Sequence, residues 1–324
     1  MNTTANGSSY WSCSSLINQE ARKVGATVAY SLILVVSLVG NSLIVLIVYK
    51  TPTLRKPINM LIANMAMSDL LYPMFLSPVE LAKSHVGSWL IGSTLGEALC
   101  KMHSFLAGVS MLVSVQSLVL LTVDRFRAVV LPLRLRLISR KLCLYLIVGT
   151  WILAVAFESP YLFAYKLVED PEGMQCVNQW EEAFGEESSY AIYVVVVIIL
   201  FFCIPFVLLV ILYSIILMNL KEQVHPGEPS ANTKQQRTRR NRKVLKMAIA
   251  IVVVFFICWI PVYTNVVIVY FVPEIRSSCS FDLYYIFTYF MSIANCAVNP
   301  IICLIFSSNY RKALKRLVNC CDAG

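Results

Sequence analysis

Apolar residues along this chain gather into seven long runs separated by short polar stretches. The runs cover about 24–49, 58–81, 97–130, 142–165, 190–220, 244–271 and 281–306. Each reaches the roughly 20 residues that an α-helix needs to cross a bilayer. The second is the most interrupted, by Asp69, Pro73 and Pro78. The two longest polar gaps, 166–189 and 221–243, leave no room for a soluble domain. Within the first gap, "KLVEDPEGMQCVNQW" puts β-prone residues on both sides of Asp170-Pro171-Glu172-Gly173, the pattern of a hairpin. After the seventh run, Tyr310, Leu314 and Leu317 share one helical face among Lys and Arg residues, which predicts a short amphipathic helix on the membrane surface. The expected fold is an all-α membrane protein: an N-terminal tail (1–23), a seven-helix transmembrane bundle (24–306), and an amphipathic helix with a cytoplasmic tail (307–324).

Composition agrees, with 58% hydrophobic and only 14% charged residues against about 25% charged in soluble proteins. The net charge of +9 matters less than its placement. With the N-terminus outside, the inner loops and tail hold most of the 27 Lys and Arg residues, as the positive-inside rule requires. The basic run "RTRRNRK" lies directly before a span, so it reads as a topology and acidic-lipid signal and not as a nucleic-acid site. The first twenty residues lack a basic region followed by an apolar one, so no cleavable signal peptide is expected. They carry two glycosylation triplets, at Asn2 and Asn6, which suit an outside face. Cys320 and Cys321 follow the amphipathic helix, where they are candidates for palmitoylation. His85, His103 and His225 are scattered without ligand spacing, and nothing supports an enzyme.

Polar side chains inside spans are costly and usually functional. Here they are Asn41, Asp69, Ser114, Asn295 and Asn299. One carboxylate among oxygen donors suits a hard cation such as sodium, or a proton; a purely structural polar network remains the alternative. Pro78, Pro160, Pro205, Pro261 and Pro300 each remove a helix hydrogen bond and create bends or hinges.

These residues occur in a recognisable order: Gly40-Asn41, "NMLIANMAMSDL" with Asp69, Cys100, Asp124-Arg125-Phe126, Trp151, Pro205 with Tyr213, "FFICWIP" with Phe255, Trp259 and Pro261, then Asn299-Pro300. From about Val24 to Cys321 the chain resembles rhodopsin-like (class A) G-protein-coupled receptors, nearest to the neuropeptide-receptor branch. The resemblance implies a plasma-membrane receptor that activates heterotrimeric G proteins and meets arrestin and receptor kinases. It implies that Asp124 holds Arg125 at rest, and that Phe255, Trp259, Pro261, Pro205, Tyr213, Asn299 and Pro300 form the activation switch. It implies a sodium site at Asp69, Ser114, Asn295 and Asn299, with Asn41 nearby. It also implies a Cys100–Cys176 disulfide; Cys13 and Cys279 are a second candidate pair. Two positions depart from the family. Phe126 replaces the usual tyrosine after Asp-Arg, and Cys303 replaces the tyrosine of Asn-Pro-x-x-Tyr, so a weaker latch on the active state is expected.

For the ligand, the family's amine-binding Asp is Ala107 here and the retinal Lys is Ile293. The outer mouth is acidic: Glu169, Asp170, Glu172, Glu181, Glu182, Glu186 and Glu187 face only Lys166 in the second extracellular loop. Such a field draws cations inward. The candidate ligand-binding set is Glu80, His103, Met111, Trp180, Tyr263, Tyr270, Asp282, Tyr285 and Tyr289, and the expected ligand is a basic, amidated neuropeptide. A non-peptide amine or small cation held by Glu80 is the alternative within the fold. A transporter or channel is the alternative outside it, although no internal repeat supports one.

Overall fold

The computed structural model describes residues 19–86, 88–131, 138–171, 173–185, 187–222, 231–272 and 279–321. Helix α1 spans Gln19–Lys50. Helix α2 runs through Pro57–Asp69, a wide π turn at Tyr72–Leu76, and Ser77–Val86. Helix α3 spans Ser93–Val130, and α4 spans Arg140–Glu158 with a further turn at Tyr161–Ala164. The strands β1 (Tyr165–Asp170) and β2 (Gly173–Asn178) pair antiparallel, with Leu167 opposite Cys176. A short helix, Trp180–Phe184, leads to α5, which runs through Glu187–Ile198, a π turn at Ile199–Cys203, and Ile204–Glu222. Helices α6 (Ala231–Phe271), α7 (Cys279–Phe306) and α8 (Ser308–Cys321) complete the chain.

Seven of these helices are long and apolar enough to cross a membrane. Their outer faces carry the apolar side chains that water would reject: Val24, Val28, Leu32, Val35 and Val39 on α1, and Tyr145, Val148, Ile152 and Val155 on α4, are all exposed. Lipid is the solvent that such faces need. Helix α3 is the central post, with Leu112, Val113, Val115, Leu118 and Leu121 fully buried. It packs against α2, α4 and α5, while α7 closes the ring between α6 and α1.

The local chemistry explains the helix ends and breaks. The Ser139 hydroxyl accepts from the Leu142 amide at 3.1 Å and caps α4. Pro160 frees the carbonyl four residues back, Ala156, and the Ser159 hydroxyl donates to it at 2.9 Å. Pro73, which carries no N–H, lies in the first π turn, and Pro205 follows the second by two residues. The sixth apolar run starts at about Val244, yet α6 begins at Ala231. Its Gln, Lys and Arg residues are good helix formers, and an apolar run marks only the part of a helix that lies in lipid.

On the amphipathic α8, the Tyr310 ring is buried and its hydroxyl donates to Asn59 Oδ1 at 3.4 Å, which fastens α8 beneath α2.

Candidate functional site

At the outer end, the disulfide between Cys100 and Cys176, with Cα atoms 5.6 Å apart, ties β2 to the first turns of α3. The hairpin is also held by its tip: the Trp89 amide donates to the Met174 carbonyl at 2.7 Å. Gly173 turns the chain at φ 115°, a conformation that side-chain-bearing residues rarely adopt. Glu169 and Asp170 stand exposed on β1. Lys166, their one basic neighbour in the sequence, is engaged by Glu182 at 2.5 Å.

The ligand candidates divide into separate groups. Met111 and Tyr263 meet, with the Tyr263 hydroxyl donating to Met111 Sδ at 3.5 Å. Tyr263 in turn packs on Phe202 (ring centroids 4.5 Å apart) and on Trp259 (6.1 Å). His103 lies further out, edge-on to Trp89. Tyr289 lies edge-on to Tyr30 between α7 and α1, and Tyr285 is exposed. Trp180 is buried in an aromatic cluster with Phe184, Tyr190 and Tyr193 rather than standing at the mouth; its Nε1 donates to Ser189 at 2.8 Å. The side chains of Glu80, Tyr270, Asp282, Cys279, Cys320 and Cys321 lie outside the described residues, as do Asn2, Asn6 and Cys13. Of the other cysteines, Cys143, Cys258, Cys296 and Cys303 are free and buried, and Cys203 is free and exposed on α5.

Midway down the bundle, Asp69 is 1% exposed and accepts from Ser114 Oγ at 3.1 Å and from Asn299 Nδ2 at 2.8 Å. Ser68 extends this network, with its hydroxyl 3.1 Å from that of Ser114. Asn295 sits one turn before Asn299, and among the described residues its buried Oδ1 has no hydrogen-bond partner; neither does the Oδ1 of Asn41. A carboxylate, hydroxyls and two unsatisfied amide oxygens form the kind of donor set that a hard monovalent cation takes. The residues therefore fit a sodium ion.

Asn41 has a second task that sequence reasoning did not foresee. Pro300 frees the Cys296 carbonyl, and Asn41 Nδ2 donates to it at 2.8 Å as well as to Ser37 O at 3.0 Å. Beside it, Gly40 lets the proline ring approach: a Cβ there would lie 2.7 Å from Pro300 Cγ. Asn64, within the quoted motif of α2 but not singled out, also proves central. It donates to Ser117 at 2.8 Å and accepts from Trp151 Nε1 at 2.8 Å, joining α2, α3 and α4.

The residues expected to form the activation switch run down to the inner face. Trp259 and Phe255 are both buried, with ring centroids 6.0 Å apart. The Pro261 carbonyl accepts from the Tyr284 hydroxyl at 3.0 Å, which joins α6 to α7. At the end of α3, the Arg125 guanidinium is gripped by its neighbour Asp124, with Nε 3.2 Å from Oδ2 and Nη2 on the same oxygen. One turn in, the Thr122 hydroxyl donates to Tyr213 at 3.0 Å, so the α5 tyrosine is held by α3 and Cys303 lies buried on α7.

A seven-helix membrane bundle with a disulfide-tied outer hairpin and an acid-held arginine at its inner end has the plan of a signalling receptor. A sequence model described as "7 transmembrane receptor (rhodopsin family)" matches residues 40–302, and the chain belongs to that family. It is therefore a multi-pass receptor of the plasma membrane and not an enzyme. Its relatives include the QRFP-like peptide receptor of Branchiostoma floridae, 26% identical over 92% of this chain and 78% of that protein. They also include neuropeptide receptor 22 of Caenorhabditis elegans, 30% identical over 87% and 67%. Neuropeptide Y receptor type 2 of Mus musculus is 30% identical over 90% and 75%. The family membership decides for a receptor over a transporter or channel.

Proposed function

We propose that this chain is the receptor for an extracellular, basic, amidated peptide and answers it by activating a heterotrimeric G protein. The observation that carries the reading is the outer hairpin. It is pinned at Cys176 and Met174, and it presents exposed carboxylates from β1. A rigid acidic rim steers a cationic chain inward without demanding one fixed shape from it. The names of the relatives, all receptors of peptides or neuropeptides, support the same reading. Arrestin and receptor kinases are the further partners at the inner face, and anionic lipid at α8 with its basic residues.

The test is G-protein activation in cells expressing this chain, challenged with a library of acidic and basic amidated peptides. Activation by basic members is expected, with potency falling at least tenfold in Glu80→Gln or Asp282→Asn. A response confined to neutral or acidic peptides would remove the acidic-rim reading.

The polar cluster around Asp69 is, on this proposal, a sodium site occupied in the resting shape, which lowers the active population. Purified receptor is expected to unfold at a higher temperature in sodium chloride than in choline chloride at equal ionic strength. Asp69→Asn keeps the size of the side chain but removes its charge, and it should erase the difference. An undiminished difference in that variant would assign the salt effect elsewhere.

A further inference from the structure

Among the described residues, the peptide-receptor reading leaves one buried carboxylate in the outer half of the bundle unused. Glu158, the last residue of the main α4 helix, is 3% exposed, and no described residue hydrogen-bonds its Oε2. No lysine, arginine or histidine forms an ion pair with it among the described residues. A glycine makes the space it occupies: a Cβ on Gly108 would lie 2.0 Å from Oε2 and 2.2 Å from the carboxyl carbon. Any side chain at position 108 would therefore expel the carboxylate.

The surroundings point toward the ligand path. Gly108 is one turn outward from Met111, the residue that meets Tyr263, and lies eight residues, about 12 Å, below Cys100 along α3. An aromatic cluster gathers around the residues that flank Glu158 in the chain. The rings of Tyr161 and Tyr193 are 5.5 Å apart, and Trp180 packs 4.8 Å from Tyr193. The Tyr193 hydroxyl donates to the Phe157 carbonyl at 2.8 Å, which fixes the ring beside the acid. A carboxylate at this depth in a membrane protein is costly unless it meets a cation. A carboxylate flanked by aromatic faces is a receptor for a guanidinium, which pairs with the acid through its edge and with the rings through its face.

We infer that Glu158 is the counter-ion for the guanidinium of the ligand. The basic end of the peptide passes the disulfide, follows α3 inward, and places its cation in the notch opposite Gly108 against Tyr161 and Tyr193. The inference rests on the basic-peptide reading and gives that reading an anchor within the bundle, distinct from the acidic rim.

The experiment uses the full-length receptor in lipid nanodiscs and two probes: L-argininamide, which carries a guanidinium beside an amide end, and L-citrullinamide, which keeps the α-amine and amide but has a neutral urea in place of the guanidinium. Thermal unfolding is the readout. Near-saturating argininamide is expected to raise the Tm of the native sequence by about 2–4 °C, and citrullinamide to leave it unchanged. Glu158→Gln should abolish the argininamide shift. Gly108→Ala, which keeps the acid but takes its space, should raise the concentration needed at least tenfold, and it decides the matter if the Gln variant folds poorly. A shift that persists in Glu158→Gln, or no shift in the native sequence, overturns the inference. Peptide-evoked G-protein activation decides the broader reading separately. A receptor that answers basic peptides yet keeps its argininamide shift in Glu158→Gln would refute this anchor alone.

Discussion

Gly40→Val is expected to remove most receptor from the cell surface and to lower the Tm of whatever is recovered by several degrees. The reason is the approach of α1 to α7. A single Cβ at position 40 would already lie 2.7 Å from Pro300 Cγ and 2.9 Å from its Cβ, and a proline ring has no rotamer by which to retreat. Valine adds two methyl groups beyond that. Overpacking of this kind costs about 1–3 kcal/mol. Moving α1 away to relieve it breaks the bond from Asn41 to the Cys296 carbonyl, the acceptor that Pro300 has left without a helix partner. A buried polar group stranded in this way costs another ~1–3 kcal/mol. Together these losses are a large fraction of the roughly 5–15 kcal/mol that holds a folded domain together. Gly149→Ala is the control, because nothing lies within 4 Å of its added methyl. Alanine there should be neutral or slightly stabilising, since glycine inside a helix costs about 0.5–1 kcal/mol. Equal surface levels for the two variants would show that the α1–α7 contact is not tight.

The seven spans were legible because lipid imposes a simple demand: every backbone group is satisfied within a helix and the surface is apolar. The hairpin was legible for a local reason, a turn tetrapeptide between two β-prone arms. What escaped the sequence depends on neighbours. Asn41 was read as part of an ion site, and only the packing of α1 on α7 shows that its amide also serves the carbonyl freed by Pro300. Asn64 looks like an ordinary member of an apolar run until Ser117 and Trp151 converge on it from two other helices. Glu158 is the clearest case. A single acid inside the apolar run 142–165 draws no notice in the sequence. Its meaning comes from Gly108, fifty residues away on α3, whose missing side chain no periodicity would single out. The Asp124–Arg125 contact was the most legible part, because the acid and base are adjacent in the chain and need no tertiary contact to be paired.

That adjacency leads to the second large effect. Asp124→Asn is expected to raise ligand-independent G-protein activation about tenfold at matched surface expression. Arg125 holds two contacts to one oxygen of Asp124, and both side chains are only 17% exposed, so solvent screens the pair weakly. Hydrogen bonds to charged groups are worth about 1.5–3 kcal/mol, and asparagine keeps the shape while discarding the charge. A loss of ~1.4 kcal/mol from the resting shape alone multiplies the active-to-resting ratio about tenfold. The gain is bounded on the other side. Tyr213 is engaged by Thr122 at 3.0 Å, and the residue that would receive it on α7 is the thiol Cys303, a weak hydrogen-bonder. The freed arginine therefore has little to stabilise its inward position until a G protein arrives. The basal rise should accordingly depend on the amount of G protein expressed, and it should vanish in the double variant Asp124→Asn/Arg125→Ala, which has nothing to release. An unchanged basal signal in Asp124→Asn would mean that the resting shape is held by the bundle itself and that the acid–base pair at its inner edge is only an interfacial contact.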